Sequence, residues 1–254
     1  MTQESIIFGR NPVLEVLKNQ PDKVEKIYLR FGVQGKPIEE IQRIARKQSI
    51  PITFLDKEKF KRLTKSTKTE DTQGVVALLT IVQYKEIDTI IQDAFKQTDK
   101  PILVILDKIQ DPQNLGAIAR TAECAGVQGI IVPGTDSAPI TSTVVKTSAG
   151  AILNLPIAKV GNLAKVIDYL KENGFWILGT SSSAKETIWE ANFDIPLAVV
   201  IGNEGKGISP SLLKKCDLVV KIPMFGKTDS LNASVATGII LFEILRQRGL
   251  SVQE

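Results

Sequence analysis

The sequence predicts an α/β protein of two units, the larger built on a parallel sheet covered by helices. Three observations carry this. Short apolar runs alternate with helical stretches along the chain. The strongest runs in the C-terminal part lack polar alternation, as strands buried on both faces do. A polar segment rich in Gln, Asp and Lys separates two such patterns. An N-terminal unit is therefore expected over residues 1–82, a linker over 83–100, and a second unit over 101–254. A chain of 254 residues has the length for one large domain or two smaller ones.

The elements follow in order. Val24–Arg30 (VEKIYLR) reads as a strand. Pro37–Gln48 reads as a helix with Ile38, Ile41, Ile44 and Ala45 on one face. Pro51–Leu55 is a short strand, Lys57–Leu63 a basic helix, and Gln73–Ile81 a strong strand. A polar helix is expected over Ile87–Lys100. From Pro101 the apolar runs are Ile102–Leu106, Gly129–Val132, Trp176–Gly179, Leu197–Ile201 and Leu218–Ile222. Helices are expected at Gly116–Ala125, Leu163–Asn173, Ser209–Lys214 and Leu231–Arg248. Strands alternating with helices imply a parallel sheet covered on both sides. Ligands of such sheets bind beyond the carboxyl ends of the strands, which directs attention to the loops after Leu106, Ile201 and Ile222.

Composition removes several chemistries. The chain is 43% hydrophobic and 24% charged, as globular proteins are. It has no histidine, which excludes a Ser-His-Asp triad, a Cys-His dyad and any His-ligated metal. Cys124 and Cys216 are the only cysteines and give neither a disulfide framework nor zinc spacing, so no metal is expected. A reaction that mainly positions a reactive cofactor suits such a chain. No apolar run approaches the ~20 residues that span a bilayer. The first residues lack a signal-peptide pattern, and a reducing cytoplasm is the expected location.

Net charge is +4, but it is unevenly spread. Residues 1–85 hold 16 Lys/Arg against 10 Asp/Glu, an excess of +6; the remainder holds 16 against 18, or −2. Lys57, Lys59, Lys61, Arg62, Lys65 and Lys68 cluster in the basic third. Such a patch is the footprint expected of phosphate contacts, although a solvated helix face has the same composition.

Each of the three loops is ambiguous alone. In Asp107–Arg120 (DKIQDPQNLGAIAR), Asn114 stands where helices are often capped, and Arg120 has the pattern of a surface arginine. In Ile201–Ser209 (IGNEGKGIS), three glycines follow a buried strand, which suits close backbone approach to a ligand or an elaborate turn. It is not a dinucleotide fingerprint, because Pro210 occupies the place of the third glycine. In Ile222–Asn232 (IPMFGKTDSLN), Gly226-Lys227-Thr228 ends like a P-loop, but Lys221 stands where the leading glycine belongs. Ser230 or Asn232 suits a helix cap.

Taken together, NLGAIARTAECAG, IGNEGKGIS and IPMFGKTDSLNASVATGIILFE resemble, in order and spacing, the three signature motifs of SpoU (TrmH) methyltransferases. The resemblance spans roughly Ile102 to Arg248. The opening IIFGRNPVLEVL and the segment TQGVVAL resemble the substrate-binding domain of the RlmB-type 23S rRNA guanosine 2′-O-methyltransferases, a domain similar to ribosomal protein L30e. This resemblance implies a C-terminal α/β domain whose chain forms a deep trefoil knot, an exception to unknotted connections. It implies S-adenosylmethionine (AdoMet) as methyl donor, bordered by Gly202, Ile222, Leu231 and Thr180. It implies a catalytic set of Asn114, Arg120, Glu204, Ser230 and Asn232, and a homodimer. The reaction implied is methylation of a ribose 2′-hydroxyl, for which Arg120 is either the proton acceptor or the charge that favours the forming alkoxide. RNA would be grasped by Lys59, Lys61, Arg62 and Lys65, the expected substrate being a guanosine of 23S rRNA or a large-subunit precursor. The competing readings are a tRNA or rRNA-adenosine methyltransferase, a non-catalytic ribosome-assembly factor, and a dehydrogenase.

Overall fold

The computed structural model describes residues 6–64, 72–203, 205–228 and 230–249. Contacts divide the chain into two units, Met1–Gln83 with Pro139–Ser142, and Tyr84–Ala138 with Thr143–Glu254.

The first unit runs β1 (Ile6–Phe8), α1 (Arg10–Asn19), β2 (Val24–Arg30), α2 (Lys36–Lys47), β3 (Ile52–Leu55), α3 (Lys57–Leu63) and β4 (Val75–Leu79). Its sheet has the order β1-β4-β2-β3. β4 is antiparallel to β1 and β2, while β2 and β3 are parallel. A parallel pair needs a crossover, and α2 supplies it. Helix α2 buries Ile38, Ile41 and Ala45, one stripe of its surface, against Ile27 and Leu29 of β2 and Val75 and Ala77 of β4. Helix α1 adds Val13, Leu14 and Leu17 to the same core. Asp56 starts α3 by accepting a hydrogen bond from the Lys59 backbone N–H at 2.8 Å. That helix buries Phe60 and leaves Lys57, Lys59, Lys61 and Arg62 exposed.

The second unit contains α4 (Ile87–Gln97), β5 (Ile102–Leu106), α5 (Pro112–Cys124), β6 (Gly129–Pro133), α6 (Ser142–Thr147), β7 (Ile157–Val160), α7 (Leu163–Glu172), β8 (Trp176–Thr180), β9 (Glu186–Thr187), β10 (Leu197–Ile201), α8 (Pro210–Leu213), β11 (Leu218–Lys221) and α9 (Ala233–Gln247). The seven strands form one sheet in the order β7-β6-β5-β10-β8-β11-β9. Every neighbouring pair is parallel. The expected strands are all present, joined by β7 and the two-residue β9. Strands β5 and β10 are buried along their whole length, which is why their sequences carry no polar alternation.

Helix α4 occupies the segment expected to be a linker. It buries Ile90, Ile91 and Ala94 in the second unit's core with Leu103, Ile131 and Ile167. Burying an isoleucine side chain contributes roughly 2 kcal/mol, so this helix is held by packing rather than merely tethered.

Candidate active site

Three loops converge at the carboxyl ends of β5, β10 and β11. The first is pinned to the second by a buried carboxylate. Asp107, directly after β5 and 3% exposed, accepts a hydrogen bond from the Ser209 backbone N–H at 2.6 Å. The Asn203 side-chain amide donates to the Lys108 carbonyl at 3.3 Å, a second stitch between the same loops.

The second loop folds tightly upon itself. The Gly207 N–H donates to the Asn203 carbonyl at 2.7 Å, and the Asn203 N–H returns a bond to the Gly207 carbonyl at 3.2 Å. Gly207 has φ +66°, the left-handed region that glycine adopts without strain. Gly202 is required for a different reason. A Cβ there would lie 2.2 Å from the Gly207 carbonyl carbon and 2.3 Å from the Ile208 nitrogen. Both are backbone atoms, so no side-chain adjustment relieves the clash.

A cavity of about 470 Å³ opens beside this loop, at the carboxyl ends of the adjacent strands β10, β8 and β11. Thr180, Gly202, Ile222, Ser230 and Leu231 all line it, so residues far apart in sequence meet there. Its volume lies within the range of small-molecule sites. Sequence reasoning missed Lys221 and Met224, which also line it, and the role of Asp107 as a clasp. The available signal for Asp107 was an acidic residue set directly after a fully apolar strand.

The third loop is tied to the first through two asparagines. Asn232 caps α9, its Oδ1 accepting from the Ser234 backbone N–H at 2.9 Å. Its Nδ2 donates to Oδ1 of the buried Asn114 at 2.9 Å. The cap of α5 is Asp111, which accepts from the Gln113 N–H at 2.9 Å. Asn114 is thus a buried residue of the first turn rather than the cap that its position suggested. Helices α5 and α9 pack closely, since a Cβ on Gly238 would meet Thr121 at 3.6 Å. Arg120 is exposed on α5 and is not among the residues lining the cavity. It lies six positions beyond Asn114, about 240° around the helix, so the two side chains leave α5 on different faces. Glu204, Lys65 and Lys68 lie outside the described residues. Among the described residues no cluster of three or more Cys, Asp or Glu is placed to hold a metal ion.

A parallel sheet with a cavity at its strand ends, built by a glycine turn and two stitched loops, defines an α/β domain made to hold a small ligand. The chain belongs to the SpoU rRNA methylase family, which it matches over residues 101–242. Residues 6–85 match the RNA 2′-O ribose methyltransferase substrate-binding family. A Bacillus subtilis (strain 168) protein, YacO, whose name assigns it to the TrmH family of tRNA/rRNA methyltransferases, is 38% identical over 97% of both chains. The SpoU methyltransferase AviRb of Streptomyces viridochromogenes, solved in complex with the cofactor AdoMet, is 26% identical, with a TM-score of 0.61 over 96% of this chain and 90% of its own. The A. aeolicus TrmH/SpoU tRNA modifying enzyme is 31% identical, with a TM-score of 0.54 over 64% of this chain and 84% of its own.

Proposed function

We propose that this protein transfers the methyl group of AdoMet to a ribose 2′-hydroxyl of RNA, its substrate being a guanosine of 23S rRNA or of a large-subunit precursor. The observation that carries the reading is the cavity where Thr180, Gly202, Ile222, Ser230 and Leu231 meet. The cofactor fits what is there. Gly202, Gly205 and Gly207, which have no side chains, line the cavity, so backbone is exposed to a ligand there. Ile208, Met224 and Leu231 offer apolar surface for an adenine, while Ser230 and the loop backbone offer polar groups. When bound, AdoMet supplies a sulfonium methyl group that needs only an aligned oxygen nucleophile.

The protein's part is alignment and charge. The Asn114–Asn232 hydrogen bond holds the first and third loops in register. A guanidinium is a poor base, so Arg120 acts by favouring the alkoxide as the 2′-hydroxyl passes its proton to solvent, or by clamping a neighbouring phosphate. Glu204 and Ser230 orient Arg120 or the ribose. The N-terminal unit, residues 1–82, grasps the RNA through Lys59, Lys61, Arg62 and Lys65, and a cytoplasmic location follows from that substrate.

The protein acts as a homodimer. Helix α9 supports this, since it is apolar on two faces. Ile240, Leu241 and Ile244 are buried, whereas Val235, Ile239 and Phe242 are 50%, 36% and 52% exposed. An exposed apolar helix face opposite a buried one is a candidate interaction surface, and a second copy is the proposed cover. The similarity to a tRNA modifying enzyme favours tRNA as the second reading.

The test is transfer of label from radiolabelled AdoMet to unmodified large-subunit rRNA and tRNA transcripts. Label is expected in rRNA, falling at least a hundredfold for Arg120→Ala. Label only in tRNA overturns the substrate, and an Arg120→Ala rate within a few-fold of wild type overturns both roles given to that residue.

A further inference from the structure

The first unit carries two exposed aromatic rings stacked on one another. Phe31 is 65% exposed and Phe54 46%, with ring centroids 5.9 Å apart and planes inclined by 25°. Both are mounted on the sheet. Phe54 belongs to β3 and is paired with Leu29 of β2. Phe31 lies two residues beyond Leu29, on the same face of the strand. Its N–H donates to the Leu55 carbonyl at 2.8 Å, which extends the ladder by one residue past β2. The two rings are therefore held by backbone pairing at the carboxyl ends of adjacent strands. Single exposed apolar side chains are ordinary. A mutually stacked pair on a rigid edge, with the outer surfaces open, is a flat apolar platform.

The surroundings indicate what the platform meets. Along the chain Lys57 follows three residues after Phe54 and Lys36 opens α2, while Arg30, next to Phe31, leaves the strand on the opposite face. The loop after Phe31 returns to Arg10, whose guanidinium lies 3.3 Å from where a Cβ on Gly35 would sit. The nearby carboxylate of Asp56 is engaged as the cap of α3 and by Lys59 at 3.5 Å. Residues 1–85 as a whole carry an excess of +6. A flat aromatic surface carried by a basic unit is complementary to a polyanion that presents flat bases. A duplex hides its base faces, whereas loops and bulges present them.

We propose that Phe31 and Phe54 form a stacking platform for an unpaired base of the RNA substrate. The proposal rests on the RNA-methyltransferase reading above. It gives the substrate-binding unit a means of selecting unpaired RNA that lysine–phosphate contacts do not supply.

The experiment measures binding of the full-length protein to an unmodified 23S rRNA transcript and to a short RNA duplex, over a range of salt. Phe31→Ala and Phe54→Ala are compared with Phe31→Trp and Phe54→Trp, after thermal unfolding has shown each variant to be folded. The alanine variants are expected to bind the transcript about tenfold more weakly, as for one lost base–aromatic stack. Their salt slope and duplex binding should stay at wild-type values, and the tryptophan variants should retain affinity. Equal affinity of the alanine and wild-type proteins for the transcript overturns the platform alone. A changed sedimentation coefficient with unchanged RNA binding also overturns it and makes the pair a protein-binding surface. If the wild type binds neither RNA, the functional reading falls and takes the platform with it.

Discussion

Asn232 holds two structures together with one side chain. Its oxygen caps α9 and its amide nitrogen reaches the buried Asn114 on α5. A lost asparagine cap costs about 1 kcal/mol, and the lost bond to Asn114 adds a net contribution of about 1 kcal/mol. Asn232→Ala is therefore expected to lower stability by about 2 kcal/mol in urea unfolding. Asn232→Asp separates the two roles, because a carboxylate caps a helix well but donates nothing to Asn114. It should cost less than the alanine variant. If the two variants are equally destabilised, the link to Asn114 carries the energy and the cap does not; if neither is destabilised, both roles fail. The same residue marks a limit of reading from sequence. A helix cap is a local pattern and was legible in Ser230-Leu231-Asn232. Its partner lies 118 residues away, and no local rule pairs them.

At the scale of elements, legibility followed length and apolar density. The fully buried β5 and β10 were plain in the sequence, because an unbroken apolar run of five residues between polar turns fits a strand covered on both faces. The two-residue β9 is too short to establish a period, and β7 escaped because Lys159 interrupts its four residues, IAKV. Helix α6 escaped because STVVKT is rich in β-branched residues with weak helix propensity. Helix α4 was legible as a polar helix but looked like a spacer, since its three buried residues are diluted by Gln, Asp and Lys. Helix α9 was legible as a helix, but its second apolar face acquires meaning only once the first is seen to be buried. That face leads to a prediction. If a second copy covers it, Phe242→Glu should convert the dimer to monomer in sedimentation while the far-ultraviolet circular dichroism stays unchanged, because Phe242 is 52% exposed and contributes little to the core. A variant that stays dimeric would move the interface elsewhere, and a wild type that is monomeric would remove it.

Across the whole molecule, charge and chemistry are carried by different stretches of chain. The excess of +6 lies in residues 1–85, while the cavity is built from residues beyond 179. RNA affinity and cofactor affinity should therefore respond to different substitutions. On α3, Lys61 and Arg62 are exposed, whereas Lys59 spends part of its charge on Asp56 at 3.5 Å. Each phosphate contact to single-stranded RNA contributes about 0.7 to the slope of log affinity against log salt. Replacing Lys59, Lys61 and Arg62 together by glutamine should lower that slope by about 1.5, less than three full contacts would give because Lys59 is already partly neutralised. AdoMet affinity, measured calorimetrically on the same variant, should remain within about twofold of wild type. An unchanged slope would remove α3 from the RNA interface, and Phe31 and Phe54 would then have to act with other cations of the first unit, Arg10 foremost. A loss of AdoMet affinity together with the slope would mean that the basic third and the cavity are energetically coupled rather than independent.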